Sequence, residues 1–435
     1  MSRIHFHRPR PSRRGLPKRL GRAHLVFRLH VARSGIDYRR SIPSSTPRLA
    51  GADTARTMVC AIRREYHSGY IGNQGIAVRH APLANSGLKT CSNQEQEMTQ
   101  QITFGIFDHL DVNGEHPAQQ YAGRLRFIAA CDRMRLYAYH LAEHHGTAHG
   151  PASAPNLFLA AASQRTERIR LGPMVLLLPL YHPLRAVEEI CMLDQISNGR
   201  LDLGVGKGAV PMEHAFFGVE PGTVTTRYRE TLEILQHAMT ADVVQYEGAH
   251  YQLHDVPMAV RPLQQPHPPL WCGTVSRETA SWAERHNVNM IALGPSEGIR
   301  ALNAIHRSHQ QVQSTASTPL FLGMLRTLVI ADTDARAYAL AEPADRRWYH
   351  SLVALWRQSG LNPPYAIDDT IESAIATGMC AVGTAATVRD QLADDLRVAG
   401  SNYVAVQPLL GCMRVEDGIA TLAALEAEVI PKLAA

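Results

Sequence analysis

The run Ala142-Glu143-His144-His145 closes an apolar segment built on Leu136, Tyr137, Tyr139 and Leu141. An apolar strand that ends in a carboxylate and two imidazoles sets titratable groups where the chain leaves a core. In a parallel barrel that position is the catalytic rim. A neutral imidazole there can take or give a proton near neutral pH, which makes His144 the candidate base with Glu143 and His145 beside it. The competing reading is a partly buried structural histidine held by a carboxylate. His140, Glu143, His144, His145 and His149 also invite a metal reading. However, His145 and His149 share a face only on a helix, and Gly146, Gly150 and Pro151 make this stretch a loop. The order His-Glu-x-x-His is absent, so no metal is expected here.

Two further groups could hold an anion. Gly204-Val205-Gly206-Lys207-Gly208 follows an apolar run. Its glycines let backbone N–H groups approach a phosphate and Lys207 adds a point charge, although a tight turn would use the same residues. The acidic residue that should follow in a dinucleotide fold is missing. Ser276 and Thr279, with Arg277 between them, lie where another apolar run passes into a helix. Hydroxyls and N–H groups there form an anion site, or cap the helix and nothing more.

These residues need a frame, and the alternation of short apolar runs with amphipathic stretches supplies one. Strands are expected at 102–107, 136–141, 169–178, 201–205, 269–274, 288–293, 320–330 and 402–407. Eight is the number a TIM (β/α)8 barrel requires. Helices are expected at 117–134, 184–196 and 385–399, the last stopped by Gly400. Residues 243–262 read as an inserted β-hairpin, and residues 342–382, with Trp348, Tyr349, Trp356 and Pro363-Pro364, as a long insertion.

The 435 residues carry a formal charge of +5, which conceals a division. Residues 1–97 hold 18 Lys/Arg against 5 Asp/Glu, and the remainder 26 against 34. A basic, poorly structured N-terminal extension (1–97) therefore precedes an acidic barrel (98–435). Met98 stands directly before the first strand, so the extension reads first as a start assigned too far upstream, then as a transit peptide, then as a nucleic-acid arm. No nucleic-acid partner is expected for the barrel itself. Seven scattered cysteines without a C-x-x-C pair suit a reducing, cytoplasmic setting. No apolar run approaches 18 residues, so no membrane partner is expected.

The Glu-His-His run precedes Leu171-Gly172-Pro173, Tyr181-His182-Pro183 and Leu193-Asp194-Gln195-Ile196-Ser197-Asn198-Gly199-Arg200. In order and spacing, over roughly residues 102–430, this resembles the bacterial-luciferase-like flavin-dependent monooxygenases. The resemblance implies reduced FMN at the barrel rim and O2 adding to the flavin C4a. The (hydro)peroxyflavin so formed would oxygenate an apolar aldehyde, ketone, alkane or terpene-like substrate. It implies a separate NAD(P)H:flavin reductase, a homodimer, and a lid within 342–382. It assigns the base to His144 and phosphate contacts to Lys207 (usually arginine), Arg227, Ser276 and Thr279, with Arg277 as added charge. Val275 stands where a glutamate is common. It also implies a non-prolyl cis bond at Met174-Val175 against the flavin ring, where a plain core strand is the alternative. Gly206 stands where luciferase proper has cysteine, which argues against light emission. Rival readings are an F420-dependent hydride-transfer enzyme on the same fold and a non-catalytic flavin-binding protein.

Overall fold

The computed structural model describes residues 102–134, 136–310, 320–363 and 369–433. The expectations for the basic extension 1–97 and for a start at Met98 lie outside them.

Eight parallel strand positions form a ring. They are β1 (Thr103–Asp108), β2 (Ala138–Leu141), β3 (Arg170–Pro173) continued by β4 (Leu176–Leu177), β5 (Leu203–Gly206), β8 (Leu270–Thr274), β9 (Asn289–Ala292), β10 (Leu322–Ile330) and β12 (Tyr403–Gln407). The order β3-β2-β1-β12-β10-β9-β8-β5 closes through the pairing of β4 with β5 and a bridge between Leu171 and Leu201. These strands read as continuous apolar runs because both faces are covered, by the barrel interior and by helices. β6 (Val243–Glu247) and β7 (Gln252–Pro257) form the expected hairpin, paired antiparallel.

Helices α1 (Pro117–Arg133), α2 (Pro155–Ser163), α3 (Pro183–Ile196), α4 (Pro211–Phe216), α5 (Val224–Ala238), α6 (Arg277–Arg285) and α7 (Ser296–Gln310) follow the successive strands. α8 (Asp334–Gln358), α9 (Ile371–Ala376), α10 (Ala385–Ala399) and α11 (Val415–Ala424) follow, and a short α12 (Ile430–Leu433) ends the described residues. α10 stops as expected, because Gly400 takes a left-handed φ of 63° that a Cβ would disfavour.

One expectation needs correction and another gains detail. The third strand is interrupted at a cis Met174–Val175 bond, which divides it into β3 and β4. The segment 342–382 is the expected insertion between β10 and α10, and its described residues are regular. α8 carries it to Gln358, α9 follows, and β11 (Cys380–Gly383) pairs with the C-terminal half of β10. Trp348, Tyr349 and Trp356 thus lie on a helix. β11 escaped notice because four small residues give too short a run for an alternation signal.

Inside the barrel, Phe107, Met174, Trp271, Ile291, Leu325, Tyr403 and Ala405 pack together. Each large side chain so buried contributes about 1.5–3 kcal/mol. The floor is tied by the eight-residue run ending at Arg200. Its guanidinium donates to the carbonyls of Ser163, Thr166, Ile169 and Ser197. Buried Asp194 accepts from the backbone and side chain of Gln264, each at 2.8 Å. The most recognisable motif in the sequence is therefore a structural fastening away from the rim.

Candidate active site

At the end of β2 the chain leaves the barrel and its side chains meet carboxylates. His144 Nδ1 lies 3.0 Å from Glu213 Oε1 on α4, and the same oxygen accepts the His145 N–H at 2.9 Å. Glu213 is buried, whereas the His144 side chain remains 21 % exposed. Glu143 turns inward. Its oxygens accept from the Leu177 N–H (2.8 Å) and the Tyr181 hydroxyl (2.9 Å) and meet His145 Nε2 at 2.8 Å. Glu143 thus fixes His145 and the exit of β4, while Glu213 fixes His144.

His109, directly after β1, and His149, in the loop beyond His145, stand beside His144. Ring centroids are 5.9 Å apart for His109–His144, 4.1 Å for His109–His149 and 4.9 Å for His144–His149. Burial, then the charges of His149 and His144, holds His109 well below the usual imidazole range. His149 is lowered chiefly by burial. The Trp348 indole covers both rings from α8.

The barrel mouth lies on the same face. Gly273 is exposed on β8, two residues beyond buried Trp271, and a Cβ there would meet nothing within 4 Å. Gly206 ends β5 against Val175, where a side chain would collide with the valine. The cis Met174–Val175 bond is present where the resemblance implies one. Lys207 is exposed just after β5, and its carbonyl meets His214 Nε2 at 2.7 Å. Register pairs Gly204 with Trp271, so the ends of β5 and β8, with Lys207 and Ser276, are neighbours on the rim.

Arg227, in the first turn of α5, donates to the Tyr251 hydroxyl at 3.3 Å, and its buried Nε has no partner. Ser276 caps α6 by accepting the Thr279 N–H at 3.2 Å, so both serve as cap residues. Arg277 is exposed at the start of α6. An ammonium and a helix N-terminus at the neighbouring ends of β5 and β8, with a partnerless guanidinium nitrogen on α5, are groups that suit a flavin with a phosphate tail.

Sequence reading singled out Glu143, His144 and His145, which the structure brings together; it did not single out Glu213 or His109, and it named Tyr181 and Trp348 without placing them at the site. Glu213 carries no local signal, whereas Tyr181 stands in the Tyr181-His182-Pro183 run without a task assigned to it. His109 carries one, because Asp108-His109 ends the first apolar run as Glu143-His144 ends the second.

A family model described as luciferase-like monooxygenase matches residues 102–402. The chain belongs to the luciferase-like monooxygenase family. A relative, the uncharacterized protein y4wF of Sinorhizobium fredii, is 43% identical over 333 residues, covering 76% of this chain and 97% of that one. Among solved structures, the fold matches the oxygenating constituent of 3,6-diketocamphane monooxygenase from Pseudomonas putida in complex with FMN. That match has a TM-score of 0.64 at 21% identity and covers 76% of this chain and 99% of that one. The F420-dependent tetrahydromethanopterin reductase of Methanopyrus kandleri shares the fold as well, with a TM-score of 0.57 at 18% identity, covering 77% and 99%. Among the described residues, no helix is long and apolar enough to cross a membrane.

Proposed function

We propose that this luciferase-like protein is the oxygenating component of a two-component, FMN-dependent monooxygenase. Reduced FMN, delivered by a separate NAD(P)H:flavin reductase, supplies two electrons to O2. One oxygen atom enters an apolar aldehyde, ketone, alkane or terpene-like substrate and the other leaves as water. The observation that carries this reading is the Glu213–His144 pair at the end of β2, beside an open barrel mouth, in a chain of this family.

Each side chain then has a task. Met174 and Val175 back the ring system, and Gly206 lets that backing approach β5. Lys207, Arg227, Ser276, Thr279 and Arg277 would hold the phosphate end, with the partnerless Arg227 Nε left to donate. His144 moves a proton at Nε2, its Nδ1 fixed by Glu213. His145 and Glu143 hold the loop that presents it. Trp348 and the apolar barrel mouth keep water from the reacting atoms.

A homodimer fits Leu157 on α2 and Met192 and Ile196 on α3, which are 76%, 53% and 43% exposed on packed neighbouring helices. Light scattering reads the mass. The main test mixes protein with FMNH2 anaerobically and then admits 18O2 with a panel of apolar substrates. One 18O atom in the product supports the proposal. Stoichiometric H2O2 with every substrate opposes it. Hydride transfer with F420 and no oxygen uptake would select the F420 reading instead.

A further inference from the structure

We propose that His109, His144 and His149 form a binding site for one divalent transition-metal ion of the zinc class, and that the ion takes His144 out of proton transfer. Each ring offers one nitrogen, and the three nitrogens lie within 4.8 Å of one another. Three imidazoles with an open fourth position are a known zinc donor set, and imidazole selects transition metals over magnesium or calcium. Bonds of about 2.0–2.1 Å would require the rings to close around the ion by side-chain rotation.

The surroundings of the three rings favour a cation. His144 Nδ1 is on Glu213 Oε1 and His149 Nδ1 is on Asp111 Oδ1, both at 3.0 Å, and both carboxylates are about 1 % exposed. A carboxylate on the far nitrogen is the usual outer support of a metal-bound histidine. Two buried negative charges would balance a dication. The second, independent observation is His149 itself, buried with neither ring nitrogen in a hydrogen bond: Nδ1 makes only the 3.0 Å ion-pair contact with Asp111, and Nε2 is left bare. An imidazole nitrogen left bare inside a protein costs free energy unless something binds it.

His109 completes the set. Its Nδ1 faces the Gln407 side-chain amide at 3.1 Å and the Trp348 indole at 3.4 Å, so Nε2 is the nitrogen left for a ligand. Metal at Nε2 requires a proton on Nδ1, which the Gln407 amide accepts once turned to present Oε1, while the long indole N–H contact to Nδ1 is given up. Heavy-atom positions do not distinguish the two amide orientations. The expectation of no metal rested on spacing within residues 140–149, whereas this third donor arrives from the end of β1.

Binding stands apart from the oxygenase proposal, and only the loss of proton transfer rests on it. The test strips the full chain with chelator and titrates it with Co2+ in the absence of flavin. The expected result is one equivalent bound, with the visible bands of four-coordinate cobalt. His149→Ala or His109→Ala should weaken binding at least 100-fold and Glu213→Gln about 10–100-fold. His182→Ala, an exposed histidine on the rim, should leave binding unchanged. If His149→Ala does not fold, His109→Gln gives the same reading. No cobalt spectrum at one equivalent, or equal uptake by the histidine variants, overturns the site. Equimolar Zn2+ should then abolish product formation and chelator restore it. Full activity with zinc bound would overturn the second half alone. If FMNH2 and O2 give no product at all, the oxygenase proposal fails while the cobalt result stands.

Discussion

His144 Nδ1 and Glu213 Oε1 lie 3.0 Å apart although 69 residues separate them in the chain. A buried carboxylate on one ring nitrogen fixes both the orientation and the tautomer of the imidazole, leaving the other nitrogen for proton work. His144→Ala should therefore lower product formation by about 10²–10⁴-fold, the usual worth of a positioned acid–base group. Flavin affinity should stay within about 3-fold of wild type if the ring moves protons and does not hold the cofactor. Glu213→Gln should lower turnover less, by about 10-fold, through a loosened ring. Oxygenation that survives His144→Ala would remove the base role.

This pair also marks how far the sequence could be read. Eight apolar runs, the hairpin and the helix stop at Gly400 were legible because each depends on residues close in sequence. His144 was legible for the same reason, as a polar residue directly after a buried run. Glu213 was not, since Pro211-Met212-Glu213 has no local pattern and acquires meaning only when α4 packs over the end of β2. His109 carried a readable signal in Asp108-His109, but its link to His144 and His149 exists only because β1 and β2 are neighbours in the ring.

The anion end gives a graded expectation. Arg227 Nε is buried without a partner, so a phosphate oxygen there would gain a charge-assisted bond. Arg227→Ala should weaken FMN binding by about 10–100-fold, equivalent to one such bond. Lys207→Arg replaces a point charge with a two-pronged donor and should tighten binding by up to about 10-fold. Quenching of flavin fluorescence on titration measures both. Unchanged affinity in Arg227→Ala would place the phosphate elsewhere.

Two groups in the lower barrel set opposing acid responses. Burial, assisted by the charge of Arg170, holds His140 at about 3, against an ordinary 6.5. The unfolded chain then binds a proton that the native state refuses, so His140's contribution is full above pH 6.5. It is lost as pH falls toward 3, by about 1.4 kcal/mol per unit. Burial raises Asp202 from 3.8 to about 6 despite Arg170. There the native state binds the extra proton, and stability is gained as pH falls from about 6 to 4. The two should nearly cancel between pH 6 and 4. His140→Gln should flatten the acid loss of thermal stability, and Asp202→Asn should steepen it. Parallel melting-temperature profiles for both variants and wild type would show that neither group titrates as its burial implies.

Arg200 separates recognition from chemistry. Its guanidinium donates to four backbone carbonyls and to the Thr166 hydroxyl at the barrel floor. A lysine ammonium has three donors and no planar fork, so it cannot span the same acceptors. Arg200→Lys should strand buried carbonyls and cost about 2–3 kcal/mol of stability, read as a lower denaturation midpoint in urea with unchanged slope. The rim is untouched, so flavin affinity and turnover per folded molecule should match wild type at temperatures well below the melt. A variant as stable as wild type but unable to bind FMN would reverse this assignment and move the Leu193–Arg200 run into the site. A variant that is destabilised yet fully active when folded would establish it as the fastening of the α3–β5 turn to the connection between α2 and β3.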